Sequence, residues 1–186
     1  MNYQRAFVLG LGDSLRNYNH VPDSGISIGV NDIYKRVKTD YLVCVDLHKA
    51  FNSERLAVIK NSKPKCFYTL QGEEFNCWKG CFDNIKQLKA ASPRGSSKEL
   101  DDKEKAIISI CSPFTACGVA YHLGAKEIIL YGVDLLNHKT LSEERKVKMI
   151  IDHFIKLKYE LAKRDCKLYI GSKETALYGH IPCELD

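Results

Sequence analysis

A glycine-containing turn near the N-terminus is the first candidate for binding chemistry. Gly10, Gly12 and Ser14 follow a short apolar run that ends at Leu9. Two glycines let the backbone turn and approach a ligand closely, while Ser14 and nearby N–H groups could hold a phosphate. The turn differs from the dinucleotide-binding fingerprint because Leu15 occupies the place of the third glycine. The residues predict a phosphate or ribose contact of another kind.

Polar residues also follow four later apolar runs. Parallel strands end at one edge of a sheet, and ligands bind outside those ends, so such residues are expected to line one crevice. Backbone N–H groups at a helix start can add an anion site there. The predicted binding residues at these positions are Asn31, Asp32, Asp46, Ser112, Thr115 and Gly132, with Asp134 beside them.

Short apolar runs recur along the chain and predict the strands that place these residues. Most runs are nearly continuous and rich in Val, Ile, Leu and Tyr, without strict polar alternation, which is typical of strands buried on both faces of a parallel sheet. The predicted strands are 6–9, 26–30, 41–45, 66–70, 106–111, 127–131 and 167–170.

The sequence indicates where two helices between the apolar runs begin and where the first of them ends. Ser112 and Pro113 predict a helix start, with Ser112 as the cap, and Gly124 predicts its end. Thr140 and Glu143 have capping-box spacing, and they precede an apolar stripe at helical spacing formed by Val147, Ile150, Ile151, Phe154, Leu157 and Leu161. Strands alternating with helices predict a doubly wound, mostly parallel α/β sheet in a single domain over residues 1–186.

Residues 91–105 differ from the rest of the chain. They combine Ser, Pro, Arg and Gly with a charged stretch, which predicts an exposed loop. Long loops in compact domains often act as lids or binding elements, so this loop is a candidate mobile segment.

Composition restricts the class of protein. The 186 residues are 45% hydrophobic and 27% charged, which is typical of a globular chain and not of a disordered one. The net charge of +5 suits phosphate-bearing ligands. It does not predict a nucleic-acid partner, because the basic residues are scattered and no aromatic-basic strand pattern of the RNA-recognition kind is present.

The termini and the eight cysteines bear on location and metal binding. No run of about 18 apolar residues is present, and the first apolar run is too short for a signal peptide, so we expect a cytoplasmic protein. In a reducing cytosol the cysteines are expected to be free core residues. Cys77 and Cys81 have no partner pair at zinc-finger spacing, so no metal site is predicted from them.

Taken together, the motifs resemble those of one superfamily, which contains the 6-hydroxymethylpterin diphosphokinase-like proteins and the bacterial sialyltransferases of glycosyltransferase family 42. The resemblance rests on Gly-x-Gly-x-Ser-Leu at 10–15, Asn-Asp at 31–32, Val-Asp at 45–46 and Tyr-Gly-Val-Asp at 131–134. It covers about residues 5–50 and 106–171, and residues 51–105 match nothing in it. Proteins with this pattern are common among phage and bacterial surface-polysaccharide proteins.

The resemblance implies a Rossmann-like fold that holds a nucleotide across the strand ends. Gly10, Gly12 and Ser14 would cradle phosphate or ribose, and Asn31 would contact the base, sugar or phosphate. Ser112 and Thr115 would bind through the helix N-terminus, and Gly132 would close over the nucleoside. A histidine beyond the last motif is the general base in the sialyltransferases; here His138 is the nearest candidate, with Asp134 as the second predicted catalytic residue.

Three functions remain open at this point. The first is a transferase that uses a nucleotide-sugar, with a base for the acceptor hydroxyl. The second is diphosphoryl transfer from ATP, in which Asp32, Asp46 or Asp134 would bind Mg²⁺; the chain lacks a P-loop motif. The third is a non-catalytic protein that binds or sequesters a nucleotide. A homo-oligomer is compatible with all three.

Overall fold

The structure is a computed structural model that describes residues 4–19, 25–136 and 144–184. Its centre is an eight-stranded sheet in which every neighbouring pair of strands is parallel. The strands are β1 (Arg5–Leu9), β2 (Ile26–Val30), β3 (Tyr41–Val43), β4 (Cys66–Leu70), β5 (Ile85–Ala90), β6 (Lys105–Ala106), β7 (Glu127–Tyr131) and β8 (Lys167–Ile170).

The strand order across the sheet is β6-β5-β4-β3-β2-β1-β7-β8. From β1 the chain builds the sheet outward to β6, and then returns to the other side of β1 to add β7 and β8. The strand order therefore reverses between β1 and β7. In open α/β sheets such a switch point leaves a crevice at the carboxyl ends of the strands, where ligands bind.

Helices cover the sheet on both faces. They are α1 (Ser53–Lys60), α2 (Glu73–Trp78), α3 (Ser112–His122) and α4 (Glu144–Ala162), with short 3₁₀ turns at Asp13–Asn17, Ile33–Lys35 and His48–Ala50. One core cluster joins α3 and α4 to the sheet, and a second cluster joins it to α1 and α2. The prediction of a parallel α/β sheet of Rossmann-like type is confirmed.

Side chains of single strands divide between these two cores. On β1, Ala6 and Val8 belong to the α3–α4 side, while Phe7 and Leu9 belong to the other side. Successive side chains of a strand point to opposite faces, so a strand covered on both faces needs an unbroken apolar run. This is why the central strands could be predicted from their apolar runs in the sequence.

Edge strands and short helices were harder to predict. The predicted strand 106–111 pairs only at Lys105–Ala106, where β6 forms the sheet edge. Beyond it, Ile107 is buried and packs on Gly118 of α3 instead of extending the ladder. The elements β5, α1 and α2 were not predicted. The predicted cap residues Thr140 and Glu143 lie outside the described residues.

The segment 91–105 is partly built into the fold. Leu100 and Ser97 are buried, and the N–H of Gly95 donates to the Ile108 carbonyl at 2.7 Å. Arg94 is exposed and lines the switch-point crevice. The mobility of this segment stays a prediction.

Within the ranges that the structure describes, no helix has the length and apolar character needed to cross a membrane.

Candidate functional site

Two glycine backbones bring the turns after β1 and β7 together. A Cβ on Gly10 would lie 2.3 Å from the Gly132 carbonyl oxygen, and a Cβ on Gly132 would lie 2.5 Å from the Gly10 carbonyl oxygen. Gly132 also has a φ of +67°, which favours glycine. The N–H of Gly12 donates to the Gly132 carbonyl at 2.8 Å. Both glycines therefore permit the close approach of two backbones at the switch point.

A serine and an aspartate link the same two turns. Asp134 accepts the Ser14 backbone N–H at Oδ2 over 2.9 Å and the Ser14 hydroxyl at Oδ1. Ser14 Oγ in turn accepts the N–H of Gly132 at 3.1 Å. Ser14 is 2% exposed and Asp134 is 9% exposed. We call this arrangement the Ser14–Asp134 link.

Gly12 packs directly against the Asp134 carboxylate of this link. A Cβ at position 12 would lie 2.5 Å from Asp134 Oδ2, so any larger residue would displace the carboxylate. The glycine and serine pattern of the N-terminal turn therefore has a structural explanation that does not need a ligand.

A cleft of about 520 Å³ opens at the switch point. The carboxyl ends of β1, β2, β3, β4 and β7 and the start of α3 surround it. Six of the residues predicted to bind a ligand line this cleft, namely Gly12, Asn31, Asp46, Ser112, Gly132 and Asp134.

Four other predicted residues do not line the cleft. Gly10 and Ser14 are buried beneath it. Asp32 is turned toward α1, where it accepts from Arg55 at 2.6 Å. Thr115 is buried within α3, and its hydroxyl has no hydrogen-bond partner. His138, the predicted base, lies outside the described residues.

Asp46 is held firmly in the cleft. Its backbone carbonyl accepts the indole N–H of Trp78 at 3.3 Å, and the Cys44 thiol approaches the same oxygen at 3.9 Å. Burial raises the pKa of the Asp46 carboxyl, while the nearby Arg55 guanidinium and Asn31 amide act in the opposite direction. The site therefore contains a positioned carboxylate next to a cationic side chain.

Asn31 has an unusual backbone and an unused acceptor. Its φ of +52° is a left-handed conformation that asparagine tolerates better than most residues. The side-chain amide lies close enough to the Asp46 carboxyl to oppose the rise in its pKa, and the buried Oδ1 has no partner. Buried acceptors are normally satisfied, so this oxygen is suited to a donor group of a ligand.

Three charged residues of the cleft were missed by sequence reasoning: Arg55, Glu74 and Arg94. Arg55 is fixed by its ion pair with Asp32 and by the Phe51 ring, whose centroid is 5.0 Å from the guanidinium carbon. All three lie in 51–105, which the resemblance to the superfamily does not cover. Only the capping asparagine Asn52, whose Oδ1 accepts the Arg55 N–H at 2.9 Å, was a local signal for the helix that carries Arg55.

The start of α3 faces the cleft without a side-chain cap. Cys111 is the N-cap residue, so the expected capping by Ser112 is wrong. Cys111, Ser112 and Pro113 all line the cleft. Helix N-termini carry partial positive charge, so this one is suited to an anionic group such as a phosphate.

The three aspartates considered for Mg²⁺ are not gathered together. Asp32 is paired with Arg55, and both oxygens of Asp134 accept from Ser14. Asp46 remains, with Glu74 close enough to raise its pKa. Over the described part of the chain, no group of three or more His, Cys, Asp or Glu side chains is arranged to hold a metal ion. These donors alone do not make a preformed Mg²⁺ site.

The fold is that of solved glycosyltransferases. Sialyltransferase CstII from Campylobacter jejuni with cytidine-5'-monophosphate aligns with a TM-score of 0.60 at 14% identity, over 98% of this chain and 86% of that one. The CstII complex with CMP-3FNeuAc aligns with a TM-score of 0.58 at 14% identity, over 97% and 85%. MAf glycosyltransferase from Magnetospirillum magneticum AMB-1 aligns with a TM-score of 0.63 at 10% identity, over 95% and 33%.

No family model and no curated protein matches the chain by sequence. At such low identities, the structural likeness shows the fold alone. It supports the glycosyltransferase part of the resemblance and gives no support to the diphosphokinase part.

Proposed function

We propose that this chain is a glycosyltransferase-like enzyme that binds a nucleotide-sugar in the switch-point cleft. The observation that carries the proposal is the meeting of five strand ends and the uncapped start of α3 in one cavity. The CstII structures that share the fold hold CMP and CMP-3FNeuAc, which supports a nucleotide ligand.

Each side of the cleft suits one part of such a ligand. The start of α3 would receive phosphate. The free Oδ1 of Asn31 would accept from a hydroxyl or an amino group, and the Asp46 carboxylate would accept from ribose hydroxyls.

Transfer breaks the bond between the sugar carbon and the phosphate oxygen, and the leaving nucleotide keeps the electron pair. The acceptor oxygen forms the new bond to that carbon and gives its proton to a base. Cationic groups stabilise the charge of the leaving nucleotide. Arg55 and Arg94 line the cleft and would act there together with the α3 N-terminus.

His138 stays the predicted base on the strength of the resemblance. For Asp134 we infer a positioning role, because both of its oxygens already accept from Ser14. The sugar, the acceptor and the base of the nucleotide are not specified by these contacts.

A thermal-shift panel of nucleoside mono-, di- and triphosphates and sugar nucleotides tests the proposal. A ligand that binds the native state raises the melting temperature by mass action. We expect Asn31→Gly to weaken the binding of the best ligand by about tenfold. This factor corresponds to the upper end of the free energy that one hydrogen bond contributes. Because glycine can keep the positive φ of this position, the loss of affinity would be caused by the missing Asn31 side chain and not by a change in the backbone.

The matched control is Asp165→Gly. Asp165 also has a positive φ, of +54°, but it lies between α4 and β8 and does not line the cleft. We expect it to leave binding unchanged. A panel in which no nucleotide shifts the melting temperature at millimolar concentration would contradict the proposal.

The two other hypotheses predict different results in the same panel. A strict Mg²⁺ requirement with ATP would favour diphosphoryl transfer, in which Asp46 would hold the ion together with phosphate oxygens. Tight retention of a sugar nucleotide with no release of free nucleotide, in the presence of a range of acceptor sugars, would favour a non-catalytic binding protein.

A further inference from the structure

The outer face of α4 carries unpaired positive charge. Its inner face, including Ile150 and Phe154, is buried in the core. Arg145, Lys148 and Lys156 are exposed on the outer side, and none of them pairs with a carboxylate among the described residues. Some exposed cations elsewhere do pair, as Lys35 does with Glu54 and Lys163 with Glu160, so pairing is not general on this surface.

Apolar and aromatic groups interleave with these cations. Met149 is 39% exposed and Tyr159 is 60% exposed. Positions 145, 149, 156 and 159 follow helical spacing, so they share one face with Lys148 at its side. We call Arg145, Lys148, Met149, Lys156 and Tyr159 the outer stripe.

An acidic residue, Asp152, shares the face of α4 that carries the outer stripe. Asp152 is exposed and is four residues from both Lys148 and Lys156. Its single charge is therefore flanked by a cation one turn away on each side. The net charge of this face stays positive.

The outer stripe lies beside the cleft. His153, also on α4, hydrogen-bonds Ser109 over 2.9 Å, and Ser109 lines the cleft. Two more large exposed apolar side chains, Ile110 and Leu136, line the cleft as well. Four of the five large exposed apolar side chains of the described residues are thus on the outer stripe or in the cleft.

Cations mixed with apolar groups and an amphipathic tyrosine fit the surface of an anionic bilayer. Lys and Arg attract acidic headgroups, while Met and Tyr enter the interfacial layer. A nucleic acid fits less well, because the Lys158 ammonium lies 5.0 Å from the centroid of the Tyr159 ring and covers a face on which a base would stack.

We propose that the outer stripe of α4 docks this protein on an anionic lipid bilayer, with the mouth of the cleft near the headgroups. The proposal does not depend on what the cleft binds. If the cleft is a transferase site, this placement brings lipid-carried acceptors within reach.

Sedimentation with lipid vesicles tests the docking. The protein should bind vesicles that contain phosphatidylglycerol and not vesicles of pure phosphatidylcholine. Binding should weaken between about 0.1 M and about 1 M salt, where the Debye length falls from about 10 Å to about 3 Å. Each basic residue near an anionic surface increases partitioning about fivefold. The triple variant Arg145→Ala, Lys148→Ala, Lys156→Ala should therefore lose about 100-fold.

The matched control removes the same charge elsewhere. Lys86, Lys89 and Lys103 are exposed on β5 and in the turn before β6. Their triple alanine variant should keep most of the binding. The double variant Met149→Ala, Tyr159→Ala should lose binding without any change in charge, and circular dichroism would verify that every variant is folded.

Three results would overturn the proposal. The first is an absence of binding to phosphatidylglycerol vesicles. The second is equal loss in the two triple variants, which would mean that only net charge matters. The third is binding of an RNA or DNA oligomer that the outer-stripe variant abolishes, with no binding to vesicles, which would assign the surface to nucleic acid.

Discussion

Ser14 and Asp134 are 120 residues apart in the chain and share two hydrogen bonds. Both residues have the types and positions expected of ligand contacts, and the structure shows that they hold two turns together. Gly132 joins them through its N–H. At the scale of the residue, the function of this link is to shape the cleft, because it fixes the backbone of Gly12 and Gly132 at its floor.

Ser14→Ala tests the structural role of the link. The change leaves the buried N–H of Gly132 without its acceptor and removes a donor from Asp134. We expect a loss of about 2 kcal/mol in the free energy of unfolding, measured in urea, because an unsatisfied buried group costs about 1–3 kcal/mol. The exposed Ser53→Ala is the control and should change stability by less than about 0.5 kcal/mol. Equal effects of the two changes would disprove the link.

The raised pKa of the Asp46 carboxyl predicts that the free energy of unfolding depends on pH. Burial raises the pKa of its carboxyl, so the folded protein holds this proton at a higher pH than the unfolded chain does. The stability that this group provides is present below the ordinary pKa of aspartate and is lost as pH rises through the raised pKa. Asp46→Asn should therefore be more stable than the wild type at neutral pH.

The difference between Asp46→Asn and the wild type should disappear in acid, below the ordinary carboxyl pKa of about 3.9. Urea unfolding at both pH values measures it. Asp83→Asn, an exposed position, serves as the control and should follow the wild type at both. A variant that is less stable than the wild type at neutral pH would show that the contacts of Asp46 with Arg55 and Asn31 outweigh its burial.

At the scale of the element, α3 connects the edge strand β6 to the central strand β7 and starts at the cleft. Its first turn has no side-chain cap. Most of the helix is buried in the core, so its direction is fixed by packing and not by its N-terminal residues. An uncapped start of a buried helix gives up stability that a cap would supply. Pro113 has no N–H and the N–H of Phe114 donates to the Cys111 carbonyl at 3.1 Å, so of these first three residues only Ser112 has an N–H left for an anion.

Ser112→Asp should separate stability from binding. An acidic residue at a helix start stabilises the helix by about 0.3–1 kcal/mol. The same charge would repel a bound phosphate, so we expect nucleotide affinity to fall by at least about tenfold, as measured by calorimetry. Ser53→Asp at the start of α1 should stabilise the protein in a similar way with no effect on affinity. Unchanged affinity in Ser112→Asp would place the phosphate elsewhere.

At the scale of the whole molecule, the eight cysteines are all free, and six of them are buried. Burial raises the pKa of Cys111 to about 12 and that of Cys166 to about 11, which removes the reactive thiolate at neutral pH. Cys77 and Cys81 are partly exposed. The two cores of the protein therefore protect most of its thiols.

Thiol titration of the native protein with an aromatic disulfide reagent checks this arrangement. We expect two fast-reacting thiols, from Cys77 and Cys81, and reaction of the other six only on unfolding. The double variant Cys77→Ser, Cys81→Ser should abolish the fast phase. More than two fast thiols in the native wild type would contradict the burial of these cysteines.

The interior strands were predictable because each is covered on both faces and needs a continuous apolar run. The predicted and observed bounds of 26–30, 66–70, 127–131 and 167–170 agree. Strand β5, which lies next to the edge strand β6, was not predicted, since Leu88 is the only buried residue among its six. The short helices α1 and α2 lie in the same region and have too few turns for a clear apolar period.

The sequence by itself determined the class of fold and six residues of the cleft, because residues after parallel strands must meet at one edge. Only the tertiary structure decided which of these residues face the cavity. It turned Asp32 toward Arg55, placed Ser14 beneath the cleft, and brought Arg55 and Arg94 to it from a region without recognisable motifs. Strand positions follow from local patterns, but the order of the strands and the partner of a polar side chain depend on contacts between distant parts of the chain.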